Sequence, residues 1–241
     1  MILSEDKIHL LAIEEKDINS SGTLKIPEGI TVIGWNATGE GFANLKTVLC
    51  PSTLKEIGAS AFKDCTHLTS VLLKKPEALI HIRSGAFEGC VNLRAFPFEK
   101  TVFLETIGMS AFRGSGLLHI DFASHGPKLI QANAFSNCKH LMWAKLGTRL
   151  SLLGSHCFAD DNLLKTVTIL SENLSAIHDY VFRDCSKIEN FICYGNPAHI
   201  SDKSFDAVNI AQVKTRKHIF SLPEINTEII RTFLKEGNGE E

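Results

Sequence analysis

The residues able to carry chemistry are seven cysteines, ten histidines and 27 acidic side chains in a chain of 241 residues. Each possible chemistry demands a spacing. A structural zinc site needs paired Cys-x-x-Cys, and no such pair occurs. A zinc peptidase needs His-Glu-x-x-His, and a serine hydrolase needs Gly-x-Ser-x-Gly; neither is present. There is no Gly-x-x-x-x-Gly-Lys phosphate loop and no Gly-x-Gly-x-x-Gly dinucleotide turn. Gly114-Ser115-Gly116 reads as a shortened turn. The acids are dispersed, with no pair placed like a glycosidase dyad. Seven is an odd number, so a complete disulfide framework is not expected. These absences point to no catalytic residue, no metal and no cofactor.

Composition narrows the partners. The charge of −2 leaves no basic footprint for a nucleic acid. No apolar run approaches the ~18 residues that span a bilayer. The first residues carry Glu5 and Asp6 where a signal peptide has basic side chains. The expected setting is therefore the cytoplasm, with the cell surface less favoured.

What positions the cysteines is a repeat. Phe62, Phe87, Phe112, Phe135, Phe158, Phe182 and Phe205 are spaced 25, 25, 23, 23, 24 and 23 residues apart. Five residues before each stands Ile57, Ile82, Ile107, Ile130, Leu153, Ile177 or Ile200. Immediately before each stands Ala61, Ala86, Ala111, Ala134, Cys157, Val181 or Ser204. Three residues after come Cys65, Cys90, Ser115, Cys138, Asp161, Cys185 and Val208. An alternating pair follows, as in Val71/Leu73, Phe96/Phe98 and Ile120/Phe122. A degenerate earlier copy has Thr38 in the ring column, and half a unit precedes it at Leu24-Lys25-Ile26-Pro27, which makes eight units over residues 23–215.

A unit of this size cannot bury its own apolar face, so it must stack on its neighbours. The alternating segment has the period of a strand, and stacked copies make a parallel ladder with one face inward. The Ile-Gly-x-x-Ala-Phe segment reads as a turn with a short helical piece. Apolar positions such as Leu54, Leu79 and Leu104 suggest a second extended piece per coil. All seven cysteines then fall on inward columns as small hydrophobes. Cys65 and Cys90 would be ladder neighbours, which leaves a disulfide there as a minor alternative. The histidines scatter over surface and turn positions.

These columns resemble the BspA-like leucine-rich repeats, whose pattern runs roughly L-x-x-V-x-L-P-x-x-L-x-x-I-G-x-x-A-F-x-x-C. Residues 45–65, from Leu45-Lys46-Thr47-Val48 to Ala61-Phe62-Lys63-Asp64-Cys65, match nearly every column. Departures fall at the Gly column (Arg83, Gln131, His178, Ser201) and at the Cys column (Ser115, Asp161, Val208). The resemblance implies an α/β right-handed leucine-rich-repeat solenoid, a parallel ladder on its concave face, and short helical turns or extended pieces elsewhere. It also implies a protein-binding role without conserved catalytic residues.

The ends lack the pattern. Residues 1–22 form the expected N-terminal cap, with Ile8, Leu10, Leu11 and Ile13 in a strand or helix. Residues 216–241 hold Arg216-Lys217-His218, then an amphipathic helix from Pro223 to Lys235 that caps the solenoid or docks on a partner, then a frayed tail.

Function is expected on the outward face of the ladder, the extended binding surface of a solenoid. Its middle column reads Leu49, Leu72, Pro97, Asp121, Lys145, Thr168, Ile192 and Lys214, and the column before it includes His119 and Trp143. The expected partner-binding residues are Leu72, Pro97, His119, Asp121, Trp143, Lys145, Ile192 and Tyr194. The expected function is a non-enzymatic scaffold that binds another protein, in a host–microbe setting by analogy. The rival readings are a surface adhesin or carbohydrate-binding module and, less favoured, a polysaccharide-active enzyme on a parallel β-helix.

Overall fold

The computed structural model describes residues 1–39, 42–195, 197–206, 208, 212–214, 219–221 and 232. The chain winds as a solenoid whose coils pair through two parallel ladders. One is a 10-stranded sheet of short strands, among them Val32–Ile33, Glu56–Ile57, His81–Ile82 and Thr106–Ile107, continuing to His199–Ile200. This is the second extended piece of each coil. Its registered column Ile33, Ile57, Ile82, Ile107, Ile130, Leu153, Ile177 and Ile200 is buried throughout. At the N-terminal end His9–Ala12 joins the same sheet in parallel, and Ile2–Leu3 closes it antiparallel. Leu10 and Ile13 are buried, whereas Ile8 and Leu11 remain exposed.

The other ladder is in two parts. Thr23–Lys25, Thr47–Cys50 and Ser70–Leu73 form a 3-stranded sheet. His119–Asp121, Trp143–Leu146, Thr166–Ile169, Asn190–Cys193, Gln212–Lys214 and Ile219–Ser221 form a 6-stranded one, whose last pair is antiparallel. Residues 94–97, between these two sheets, form no strand. Apart from Thr232, the helix expected from Pro223 to Lys235 lies outside the described residues, as do the basic stretch and the tail.

Between the ladders the ring column forms one stack. Phe62, Phe87, Phe112, Phe135, Phe158, Phe182 and Phe205 follow one another at centroid distances of 5.1 to 5.7 Å and interplanar angles of 9° to 23°. Strand pairing fixes the rise per coil at about 4.8 Å, and near-parallel aromatic pairs accept that spacing when offset. A residue column of one type is therefore compatible with the backbone ladder.

The segment carrying Phe is a run of hydrogen-bonded turns. Alternate amides bond to the next coil, while those between them close turns along the chain: Phe62 N donates to Ala86 O at 2.9 Å, Phe87 N to Ala111 O at 2.7 Å and Phe112 N to Ala134 O at 2.8 Å. Such bonds consume the donors that a helix would use internally. The turns need residues in the left-handed region on either side of the ring, such as Ser60 (φ 54°) and Asp64 (φ 55°), then Gly85 (φ 64°) and Gly89 (φ 73°). Among the described residues, helical geometry of three residues or more is confined to 3-10 turns such as Pro76–Ala78.

The seven thiols are buried and unpaired. Cys90, Cys138 and Cys185 each donate to the carbonyl of the preceding coil's ring residue, Phe62, Phe112 and Phe158, at 3.1, 3.2 and 2.9 Å. No disulfide joins Cys65 to Cys90. Burial pushes the Cys50 and Cys193 thiols up to about 12. Asp161 occupies the same column as the thiols. Its Oδ1 accepts from Cys138 N at 2.7 Å, while its buried Oδ2 has no partner. Burial drives this carboxyl well above its ordinary value of 3.8, so the folded protein holds it protonated more tightly than the unfolded chain does.

Phe112 packs on Phe87, Phe135, Phe96 and Phe98, so Phe112→Ala is expected to cost about 3–5 kcal/mol in urea unfolding. The Asp161 contribution is fully present below the ordinary value of 3.8 and is lost as pH climbs toward the raised native value. Asp161→Asn should therefore shrink the fall in urea midpoint between about pH 5 and about pH 8. An unchanged slope would show that Asp161 is ionised in the folded state.

Candidate functional site

The register places the outward columns as read from the sequence. Leu49 lies beside Leu72. Asp121, Lys145, Thr168, Ile192 and Lys214 form one line. His119 and Trp143 begin the line beside it, continued by Thr166 and Asn190. The rings of His119 and Trp143 stack at 4.9 Å with 10° between planes, which makes a flat aromatic shelf.

The ladder breaks in the coil that carries Phe96-Pro97-Phe98. Phe96 and Phe98 keep the inward column and are buried. Pro97 stands at the outward position and has no N–H to give a neighbouring strand. Its backbone sits at φ −77° and ψ 54°, short of the extended region, and leads into the 3-10 turn Phe98–Lys100. Phe98 turns inward onto the rings of Phe96 (4.8 Å), Phe122 (5.0 Å) and Phe112 (5.3 Å). Those contacts hold the coil off the ladder plane.

The break opens a groove of ≈ 590 Å³ on the outward face. Five of the expected residues line it: Leu72, Pro97, His119, Asp121 and Trp143. Leu72 is 55% exposed, a large apolar side chain left in water. Lys145 sits beyond Trp143 on a smaller depression of ≈ 380 Å³ shared with Met142 and Thr166. Ile192 and Tyr194 are not brought into the groove: Ile192 lies two strands beyond Lys145 in the register, and Tyr194 follows it at the strand end, its N bonded to Ile169 O at 3.0 Å. The groove also takes Phe96 from the inward column and Glu99 from an outward one, together with Pro76 and Lys100, which the sequence columns did not single out. The signal for them was Pro97 itself, in a position that a paired strand does not tolerate.

The electrostatics are local. Asp121 Oδ1 accepts from Ala123 N at 2.7 Å, which fixes the turn after its strand. On the far side of Leu72 the Lys74 ammonium reaches Glu28 Oε1 at 2.6 Å, and Ser52 donates to the same carboxyl. The Lys74 and Ser52 bonds hold Glu28 down to about 2. Among the described residues no three His, Cys, Asp or Glu side chains gather as a metal ion would require, and no helix is long and apolar enough to cross a membrane. What the groove offers is apolar area, an aromatic shelf and charges at its rim, which is the chemistry of binding.

The chain matches the family described as BspA type leucine rich repeat region, in 6 copies over residues 17–128 and 105–228. It belongs to that family. Comparison with curated proteins returns no match. Among solved structures, a leucine-rich repeat protein from Bacteroides ovatus is 23% identical with a TM-score of 0.65, over 82% of this chain and 51% of that one. The chain thus spans about half the length of that protein. The T. pallidum leucine-rich repeat protein is 22% identical with a TM-score of 0.55, over 85% of this chain and 84% of that one. These likenesses are likenesses of fold. Family members of this type are interaction or surface repeat proteins, generally scaffolds.

Trp143 is half-buried and stacked on one ring, unlike the core phenylalanines. Trp143→Ala should cost about 1–2 kcal/mol in urea unfolding, clearly less than Phe112→Ala. A loss as large as that of Phe112→Ala would place Trp143 in the core rather than at a binding surface.

Proposed function

We propose that this BspA-type solenoid is a protein-interaction scaffold and that the partner seats in the groove at the ladder break. One observation carries the reading: residues from separate coils, Leu72, Pro97, His119, Asp121 and Trp143, line one groove with exposed apolar area. Apolar and aromatic side chains in a concave site are the usual anchors of an interface. Lys145 lies on the neighbouring depression beyond Trp143, and Ile192 with Tyr194 form a separate, peripheral part of the face. The seven buried, unpaired thiols support a reducing compartment, the cytoplasm of the producing cell or of a host.

A second reading has its own support. The His119–Trp143 shelf beside the Asp121 carboxylate is also the kind of platform on which a sugar ring stacks. The two readings separate in one assay. Cross-linking capture from cell lysate, followed by purified-partner titration, is expected to show a protein partner whose affinity falls at least about tenfold with Trp143→Ala and with Leu72→Ala. Tyr194→Ala should leave it within about threefold, because its side chain belongs to the periphery of the face. Equal affinity for all three variants would remove the groove from the account, and saturable binding to a glycan array in place of protein would favour the sugar platform.

A further inference from the structure

We propose that the groove takes an extended peptide segment of the partner, paired along the open edge of strand Ser70–Leu73 and carrying an apolar side chain beside a basic one. This rests on the protein-binding reading of the groove and names the form of the occupant.

The open edge is the first observation. Ser70–Leu73 pairs with Thr47–Cys50 on one side only. On its other side residues 94–97 pass, and among the described residues they make no backbone hydrogen bond to it. The next strand, His119–Asp121, likewise pairs only with Trp143–Leu146. What ties it to the intervening coil is Leu118 N donating to Arg94 O at 3.0 Å, before the strand begins, and the Arg94 guanidinium donating to Gly116 O at 3.5 Å. Elsewhere in the solenoid each interior ladder strand has a partner on both sides. The groove therefore contains unused backbone donors and acceptors as well as apolar side chains.

An unpaired edge is a template for another strand. Four residues at about 3.3 Å each give an edge of roughly 13 Å, enough for four residues of an added segment. Pro76 lines the groove beyond Leu73 and withholds a donor at that end, which limits the edge to a short segment and disfavours open-ended stacking of whole sheets. Side chains of an added strand alternate, so those sharing the outward side lie beside Leu72 and face the Trp143 shelf.

The rim charges set the second requirement. Glu99 and Asp121 are two carboxylates on the groove lining against one ammonium, Lys100, and among the described residues none of the three is in an ion pair. A basic residue next to the apolar anchor complements that balance.

The probe is a display library of random eight-residue peptides on a carrier protein, with the full chain as bait. Enriched sequences are expected to be β-branched or aromatic with a Lys or Arg, and their synthetic peptides should slow amide exchange within 70–73. N-methylation at alternate residues keeps every side chain and removes the pairing donors; one of the two alternating sets should weaken binding at least tenfold. Leu72→Asp should abolish capture, and Tyr194→Ala should retain it. Peptides that tolerate both N-methylated sets, or that protect no amide in 70–73, would overturn strand pairing while leaving the protein-binding reading intact. Enrichment of no peptide would also overturn it, as would concentration-dependent dimerisation that protects the same amides, which would assign the edge to a second copy of the chain. Loss of protein capture in none of the groove variants would instead sink the parent reading.

Discussion

The structure depends on one constraint: parallel strand pairing sets the rise from coil to coil at about 4.8 Å, and every inward column must tolerate that repeat. Flat rings meet it by offset stacking, and the seven-phenylalanine column does so without interruption. Small residues beside the rings let each turn approach the next closely enough for its amides to bond across coils. Thiols meet the constraint by donating to the carbonyl of the preceding ring residue. Composition thus follows from geometry: seven of the fifteen Phe and four of the seven Cys are two columns of one lattice. Asp161 shows the cost of departing from a column, because a carboxyl in a thiol position leaves a buried oxygen without a partner and favours its protonated form.

Function enters where the constraint is relaxed. In the Phe96-Pro97-Phe98 coil the inward residues still obey the column, yet the backbone leaves the ladder. Proline removes the donor, and the burial of both rings draws the chain toward the core. The coils on either side continue as regular sheets, so the break is framed by rigid strands. A site held by such strands loses little conformational entropy when a partner arrives. The regular part of the face, from Lys145 to Ile192, presents mixed polarity, with a smaller depression at Lys145.

Much of this was legible in the sequence because columns are a one-dimensional property. Ile57, Ile82 and Ile107 align without knowledge of the fold, and the register reproduces them. The outward position of Leu72, His119, Asp121 and Trp143 follows from alternation alone. Two features were not legible that way. The Phe segment reads as partly helical because its apolar spacing does not reveal that its amides bond to the next coil; the Gly, Asn and Asp residues that flank the rings, such as Gly89, Asn137 and Asp184, carry the left-handed turns that decide the matter. The second is the groove. Alternation places Pro97 in a column as if the ladder were continuous, whereas its depth depends on how Phe98 packs against Phe112 and Phe122, a contact between coils. For the same reason Ile192 and Tyr194 share the outward face with Trp143 and yet stand away from the groove.

The central claim is that Leu72 and Trp143, on strands separated by the broken coil, act on one occupant. A double-mutant cycle on partner affinity tests it most directly, with Leu72→Ala, Trp143→Ala and the pair. A shared occupant predicts a coupling of at least about 0.5 kcal/mol between them and none beyond error between Leu72→Ala and Tyr194→Ala. Losses at Leu72 and Trp143 that add within about 0.3 kcal/mol would mean that the two side chains bind independently, and the groove at the ladder break would not be the site.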